Sequence, residues 1–441
     1  MTETADVETA KKLLQAYFQS DGETRFTFKG LNGKGENALT WKISYMRIHR
    51  DPTTYYELPR AIVLKTAKKD STRREVLRLN PARLTAGGDV INPIENERKW
   101  LKHLEWAEHF AKLVPIPRDP LRRATRSHAV NFPDYLYLEW VPYGTLWNFI
   151  LRARRQGYSA LPNRLLWRFF MCLIRMVIGM AWPPLGPEDW ENQVPVIERV
   201  RGIRPNGLVH QDMHTNNIMF GYFEDPAQNP EHDWIPTMKL IDFGEAKDVQ
   251  ETNEERNYLW RFYRGTERSR AIYGTDMSMW ADWTRFDGDD WFNAAQRSRP
   301  IPIDRGVAKN VFDIGLIMLN LALLRKPIGQ SRSEMRDIPG ADIPTTAVEL
   351  VTPDDSTGDY PNPDLDPTLR NVIARCLAVD PRRRPGPAAL VDGVSKAIAE
   401  RDVNFYNARA RKGDPLDTES DDVIKQVVQD LILNASDSGL G

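Results

Sequence analysis

Two short segments constrain what this chain can fold into more than any other feature of its sequence. His210-Gln211-Asp212-Met213-His214-Thr215-Asn216-Asn217 runs into the apolar triplet Ile218-Met219-Phe220, and a second apolar run, Lys239-Leu240-Ile241, ends in Asp242-Phe243-Gly244. Each places an oxygen-bearing side chain at the end of a short strand. Paired as an antiparallel hairpin, the two strands bring Asn217 and Asp242 to one end of the sheet. Upstream of the amide, Asp212 supplies a further acid. Phosphoryl transfer calls for this set: a carboxylate that orients an attacking hydroxyl and takes its proton, and oxygen ligands that hold magnesium against nucleotide phosphates. Asp212 suits the first task, Asn217 and Asp242 the second.

The surrounding pattern predicts an α+β chain with a small sheet-rich first half and a larger helical second half. Leu13, Leu14, Tyr17 and Phe18 share one face of a helix over 8–19. Strand signals follow at Phe26 and Phe28, over 39–46, and in the buried run Ala61-Ile62-Val63-Leu64 that ends in Lys65. A helix over 94–104 and a strand over 135–140 complete this half, and long apolar helices are expected over 162–182 and 307–324. Residues 183–205 and 221–236 read as inserted loops. Val423, Ile424, Val427, Val428, Leu431 and Ile432 define a terminal amphipathic helix expected to dock on its own body.

In order and spacing these segments resemble those of protein kinases, whose catalytic loop reads HRDxxxxN and whose metal-binding loop reads DFG. His210, Asp212, Asn217 and Asp242 fall on the matching positions. The resemblance covers about residues 25 to 400. It implies a bilobal fold, with a mostly antiparallel N-lobe over 25–142 and a mostly helical C-lobe over 143–400, flanked by a helical extension over 1–24 and a tail over 401–441. It also implies ATP and Mg2+ as cofactors. Gly33, Gly35 and Ala38 then stand where a glycine-rich loop covers the phosphates, with Ala38 in place of the last glycine. Lys65 closes its strand as the kinase lysine closes V-A-I-K, ready to neutralise the α and β phosphates. Glu97 precedes Leu101 and Leu104 as in ExxxLxxL and is its expected partner, whereas Glu95 is a surface charge. Backbone groups of Glu139 and Val141 would meet the adenine edge, with Leu138 guarding the pocket. Cys376-Leu377-Ala378-Val379-Asp380-Pro381-Arg382-Arg383-Arg384-Pro385 resembles the closing signature CLxxDPxxRP, in which Arg384 is structural.

The departures from the family pattern bear on substrate. Gln211 replaces the arginine that grips a phosphorylated activation loop, which argues against that switch. Asn310 replaces the aspartate that braces the catalytic loop, so weaker bracing is expected. No Ala-Pro-Glu closes the segment 245–305, leaving Arg384 without the salt-bridge partner of the family. His214 stands where serine/threonine kinases carry lysine, as in small-molecule kinases reading HGDLHxxN. It either touches the transferred phosphate or merely fills the position. A protein kinase for serine or threonine is the favoured expectation. A nucleotide-binding pseudokinase scaffold and a small-molecule kinase of aminoglycoside or choline type are its rivals.

Lys plus Arg number 60 against 61 Asp plus Glu, so no global field directs the molecule to nucleic acid or to a membrane, and a protein or small-molecule substrate is expected instead. The two cysteines, Cys172 and Cys376, lie in no CxxC context. That argues against disulfides and cysteine-built zinc sites and for an intracellular compartment, cytoplasmic or nuclear. The first ten residues lack the apolar core of a secretory signal. The apolar run over 311–324 contains Asp313 and Asn320 and reads as too short to span a membrane. Histidines outside the catalytic segment form no HExxH pattern and read as packing or surface residues. The tryptophans 260, 280, 283 and 291, among arginines, read as the packing of an irregular loop.

Overall fold

A computed structural model describes residues 2–21, 25–35, 38–46, 60–67, 92–122, 134–187, 194–223, 230–248, 305–326, 335–353, 358–410 and 417–434. The chain is mixed α+β and divides into two compact units: Met1–Glu105 with Ala111–Trp140, and Trp106–Phe110 with Val141–Gly441.

In the first unit, helix α1 (Thr2–Gln19) precedes a four-stranded antiparallel sheet of β1 (Phe26–Lys34), β2 (Ala38–Tyr45), β3 (Arg60–Ala67) and, after helix α2 (Pro93–His103), β4 (Tyr135–Glu139), in that order. Trp41, Ile43 and Tyr45 alternate along β2, so strand periodicity sends all three into one core with Ile62 and Leu64 of β3. Leu14 and Phe18 of α1 belong to the same core, and the Phe18 ring lies 5.0 Å from Phe26. The expected extension over 1–24 is therefore corrected: its apolar face is a wall of this unit. Local chemistry starts α2, because the Asn92 side chain accepts from the Ile94 N–H at 3.0 Å and Pro93 occupies the first turn. Lys102 and His103 complement its dipole at the other end.

The second unit is built on α3 (Leu146–Arg155), α4 (Asn163–Ala181), α5 (Arg305–Leu323), α6 (Pro367–Cys376), α7 (Pro387–Glu400) and α8 (Asp421–Val428). Three small antiparallel pairs accompany them among the described residues, β5 (Leu208–Val209) with β8 (Lys247–Asp248), β6 (Ile218–Phe220) with β7 (Met238–Leu240) and β9 (Arg336–Asp337) with β10 (Pro344–Thr345). Helix α4 packs against α5 and α7 and is buried on every side except at Arg164. Its two buried arginines are paired, Arg168 with Asp233 and Arg175 with Glu231, as low-dielectric burial demands. Helix α5 corrects the expectation about length: by length and composition it suffices to cross a membrane, yet 89% of residues 306–323 are buried inside the structure. Its Asp313 is paired with Lys309 one turn away.

The tail is also part of this unit. Ile424, Val427, Val428, Leu431 and Ile432 are all buried, whereas Val423, expected on the same apolar face, is 37% exposed. Ile424, Val427, Val428 and Leu431 follow the i, i+3, i+4, i+7 stripe, at whose edge Val423 lies, and the chain continues α8 as a π-type turn over Gln429–Leu433.

Candidate active site

The second unit brings the segment 210–217 and the Asp-Phe-Gly turn together at one end of the β6–β7 hairpin. Ile218 pairs with Leu240 in that hairpin, and the Ile241 N–H donates to the Asn217 carbonyl at 2.9 Å, so Asn217 and Asp242 leave the sheet side by side. The Asn217 amide nitrogen donates to the Asp212 carbonyl at 2.8 Å and to Asp212 Oδ2 at 3.1 Å. Its nitrogen is thus spent on Asp212, and its Oδ1 is the atom suited to a cation. An amide oxygen beside the Asp242 carboxylate is a hard donor set that fits magnesium rather than a soft metal. Asp242 takes a left-handed φ of 65° and Gln211 one of 69°. Two non-glycine residues in that sparsely populated region within one site store local strain of about 1–3 kcal/mol each.

His210 holds Asp212 through its backbone, and His214 packs beside the Asp212 carboxylate. The His214 Nδ1 accepts from the Asn216 N–H at 3.1 Å, which leaves its Nε2–H to face Asp212 Oδ1 at 3.4 Å. At 2% exposure its ring is buried beside the acid. His210 is fully buried, donates from Nε2 to the Ile241 carbonyl at 2.9 Å and accepts at Nδ1 from the Asp212 N–H at 3.3 Å. Its ring also lies 4.6 Å from that of Phe243. Burial is the main cause that pushes the His210 imidazole down from 6.5 to about 4, against the opposing charge of Asp212. A proton arriving at Nδ1 would displace the Asp212 N–H. Because the unfolded chain takes that proton first, stability is fully present above pH 6.5 and falls towards pH 4, by about 3 kcal/mol from this group. The His210 imidazole is therefore expected to stay neutral by NMR down to about pH 4, and a midpoint near 6.5 would contradict it.

Asn310 of α5 braces this segment through its amide, donating to the Leu208 carbonyl at 2.8 Å and accepting from the His210 N–H at a long 3.5 Å. Arg384 ties the unit together through carbonyls, donating to Ala378 and Ala308 at 2.9 Å each, with its guanidinium over the Phe312 ring.

The first unit holds the lysine. Lys65 lies on β3 between Thr40 and Leu136, and its Nζ is 2.6 Å from Glu97 Oε2 of α2. Glu97 is 1% exposed and Glu95 is exposed, so helical spacing separates the two acids as the 3.6-residue repeat requires. The Gly33 and Gly35 segment closes the β1–β2 hairpin, with the Gly35 N–H on the Ala38 carbonyl at 2.8 Å. A Cβ at Gly33 would lie 2.9 Å from Thr40 Oγ1, which is why that position takes glycine. The Glu139 N–H donates to the Lys112 carbonyl at 2.9 Å, so that donor is already engaged within the first unit, a narrowing of the expected hinge role. Leu138 is buried in this unit, and Val141 opens the second unit, also buried.

No family model and no curated protein matches the chain.

Glu36 and Asn37 of the glycine segment, Lys68, Lys69 and the tryptophan and arginine segment lie outside the described residues. Within them, a group that sequence reasoning assigned to packing comes together in the second unit: His109, Cys172 and His232, all buried, with donor atoms within 4.8 Å of one another. Burial alone would raise the Cys172 thiol, but the charge of His232 and hydrogen bonds from both rings pull it down to about 6. Cys376, with no such partners, is pushed up to about 12 by burial. No local signal marks this cluster, because His232 follows His109 by 123 residues.

Proposed function

We propose that the chain is an ATP- and magnesium-dependent phosphotransferase of bilobal protein-kinase type, with a serine or threonine hydroxyl of a protein as the favoured acceptor. The observation that carries this reading is the arrangement of Asp212, Asn217 and Asp242 at one hairpin end. Asp212, held by Asn217 and His210, orients the acceptor hydroxyl and takes its proton. Asn217 Oδ1 and the Asp242 carboxylate form the metal-holding pair. When bound, magnesium supplies neutralisation of the phosphate charge. Lys65, kept in place by Glu97, answers the α and β phosphates.

Melting of the protein with and without magnesium-ATP tests the nucleotide assignment. A ligand that binds only the folded state at ~100 times its Kd adds about 2.7 kcal/mol. In Asp242→Asn, a substitution that tolerates the left-handed backbone, the magnesium-dependent part of that gain is expected to vanish. An undiminished gain in the variant would refute the metal role. Labelled-phosphate transfer to protein and metabolite panels then separates the protein-kinase reading from transfer to small molecules, and binding without transfer identifies a scaffold.

A further inference from the structure

The His109, Cys172 and His232 cluster shares no residue with the set assigned above to phosphoryl transfer. His109 stands in the Trp106–Phe110 segment, Cys172 near the middle of α4, and His232 on the 3-10 turn Pro230–His232. His109 Nε2 is 3.2 Å from His232 Nε2, and Cys172 Sγ is 3.3 Å from that same His232 nitrogen. The outer nitrogens of both rings face carboxylates. His109 Nδ1 is 2.7 Å from Glu198 Oε2, and His232 Nδ1 is 3.3 Å from Glu108 Oε1 and from Thr237 Oγ1.

Those carboxylates orient the two rings. With Nδ1 of each ring turned to a carboxylate, Nε2 is the atom each ring presents to the cluster, so two ring nitrogens and a sulfur converge at one buried point. Either shared protons or a cation in their place can hold these groups at such distances. A carboxylate behind each histidine is also the arrangement that orients metal-bound imidazoles and raises their basicity. Tetrahedral zinc, with bonds of about 2.0–2.1 Å to nitrogen and about 2.3 Å to sulfur, sets nitrogen–nitrogen edges of about 3.3 Å and nitrogen–sulfur edges of about 3.6 Å. The observed separations lie within a few tenths of an ångström of both.

The geometry points to a buried site for zinc or a similar borderline divalent ion, ligated by His109 Nε2, His232 Nε2 and Cys172 Sγ and independent of nucleotide. Its role is structural. One ion would clamp α4, the Pro230–His232 turn and the segment whose His109 carbonyl accepts from the Leu240 N–H at 2.9 Å, and so hold the β6–β7 hairpin from behind. Glu198, whose carboxylate accepts from the His109 N–H at 2.8 Å and whose backbone carbonyl accepts from the Arg175 guanidinium, forms its rear wall.

Cobalt(II) titration of the chelator-treated full chain tests this. Stoichiometric uptake is expected, with a thiolate-to-cobalt charge-transfer band in the near ultraviolet and a raised melting temperature. The charge-transfer band should persist in Cys376→Ser and disappear in Cys172→Ser. Glu108→Gln, which leaves all three ligands in place, should weaken cobalt binding by ~10–100-fold. Should Cys172→Ser fail to fold, the wild-type band and the Glu108→Gln affinity decide the matter. Wild-type protein without a charge-transfer band at stoichiometric cobalt, a band retained in folded Cys172→Ser, or an unchanged affinity in Glu108→Gln overturns the site.

Discussion

Asp212→Asn is expected to lower phosphoryl transfer by ~10²–10⁴-fold, the range for loss of a positioned general base, while leaving magnesium-ATP binding close to wild type. The substitution keeps the side-chain shape and the backbone carbonyl that accepts from Asn217 at 2.8 Å. What it removes is the only group in the catalytic segment able to accept a proton from a hydroxyl held there: His210 is buried with both nitrogens in hydrogen bonds, and the Nδ1 lone pair of His214 is taken by the Asn216 N–H. An amide in place of the acid also turns one nitrogen towards the donors of Asn217 or His214, a local cost that a stability measurement will register separately. Single-turnover transfer and a magnesium-ATP melting shift, measured on the same preparation, make the comparison. Transfer within ~10-fold of wild type would remove Asp212 from the base role, and loss of binding together with transfer would make it a nucleotide ligand instead.

Truncation before Glu419 is expected to abolish folding of the second unit. Ile424, Val427, Val428, Leu431 and Ile432 are each at most 3% exposed, and burying a side chain of this size contributes about 1.5–3 kcal/mol. Even discounted for a compact unfolded state, their sum rivals the whole stability of an ordinary domain, about 5–15 kcal/mol. Two polar losses add to it. Glu419 accepts from the N–H groups of Asn163 and Arg164 at 2.6 and 3.0 Å, and so caps α4, whose own N-cap residue, Pro162, has no side chain that can. Arg152 is buried and donates to the Leu431 carbonyl at 2.8 Å, a bond that its removal would leave unmade. On a smaller scale Leu431→Ala should cost about 2–5 kcal/mol, and Val423→Ala, at an exposed position, within about 0.5 kcal/mol. Urea denaturation reads all three variants. A soluble, cooperatively folding truncation would show that the tail is an appendage.

The chain's own order of residues determined a good deal about this protein. Alternation along β2, the Asn92 cap and proline start of α2, and the choice of Glu97 over Glu95 as the partner of Lys65 all depend on neighbours within one pleat or one helical turn, a range over which spacing and geometry are the same information. The juxtaposition of Asn217 and Asp242 was legible for a related reason: two short strands that pair as a hairpin leave their ends only one place to go. Other features were decided by the tertiary structure alone. The inward turn of α1, the capping of α4 by Glu419, the exposure of Val423 and the meeting of His109, Cys172 and His232 depend on where distant segments cross in space. Spacing along a chain carries no record of such crossings, because they follow from how the apolar faces of whole elements pack together.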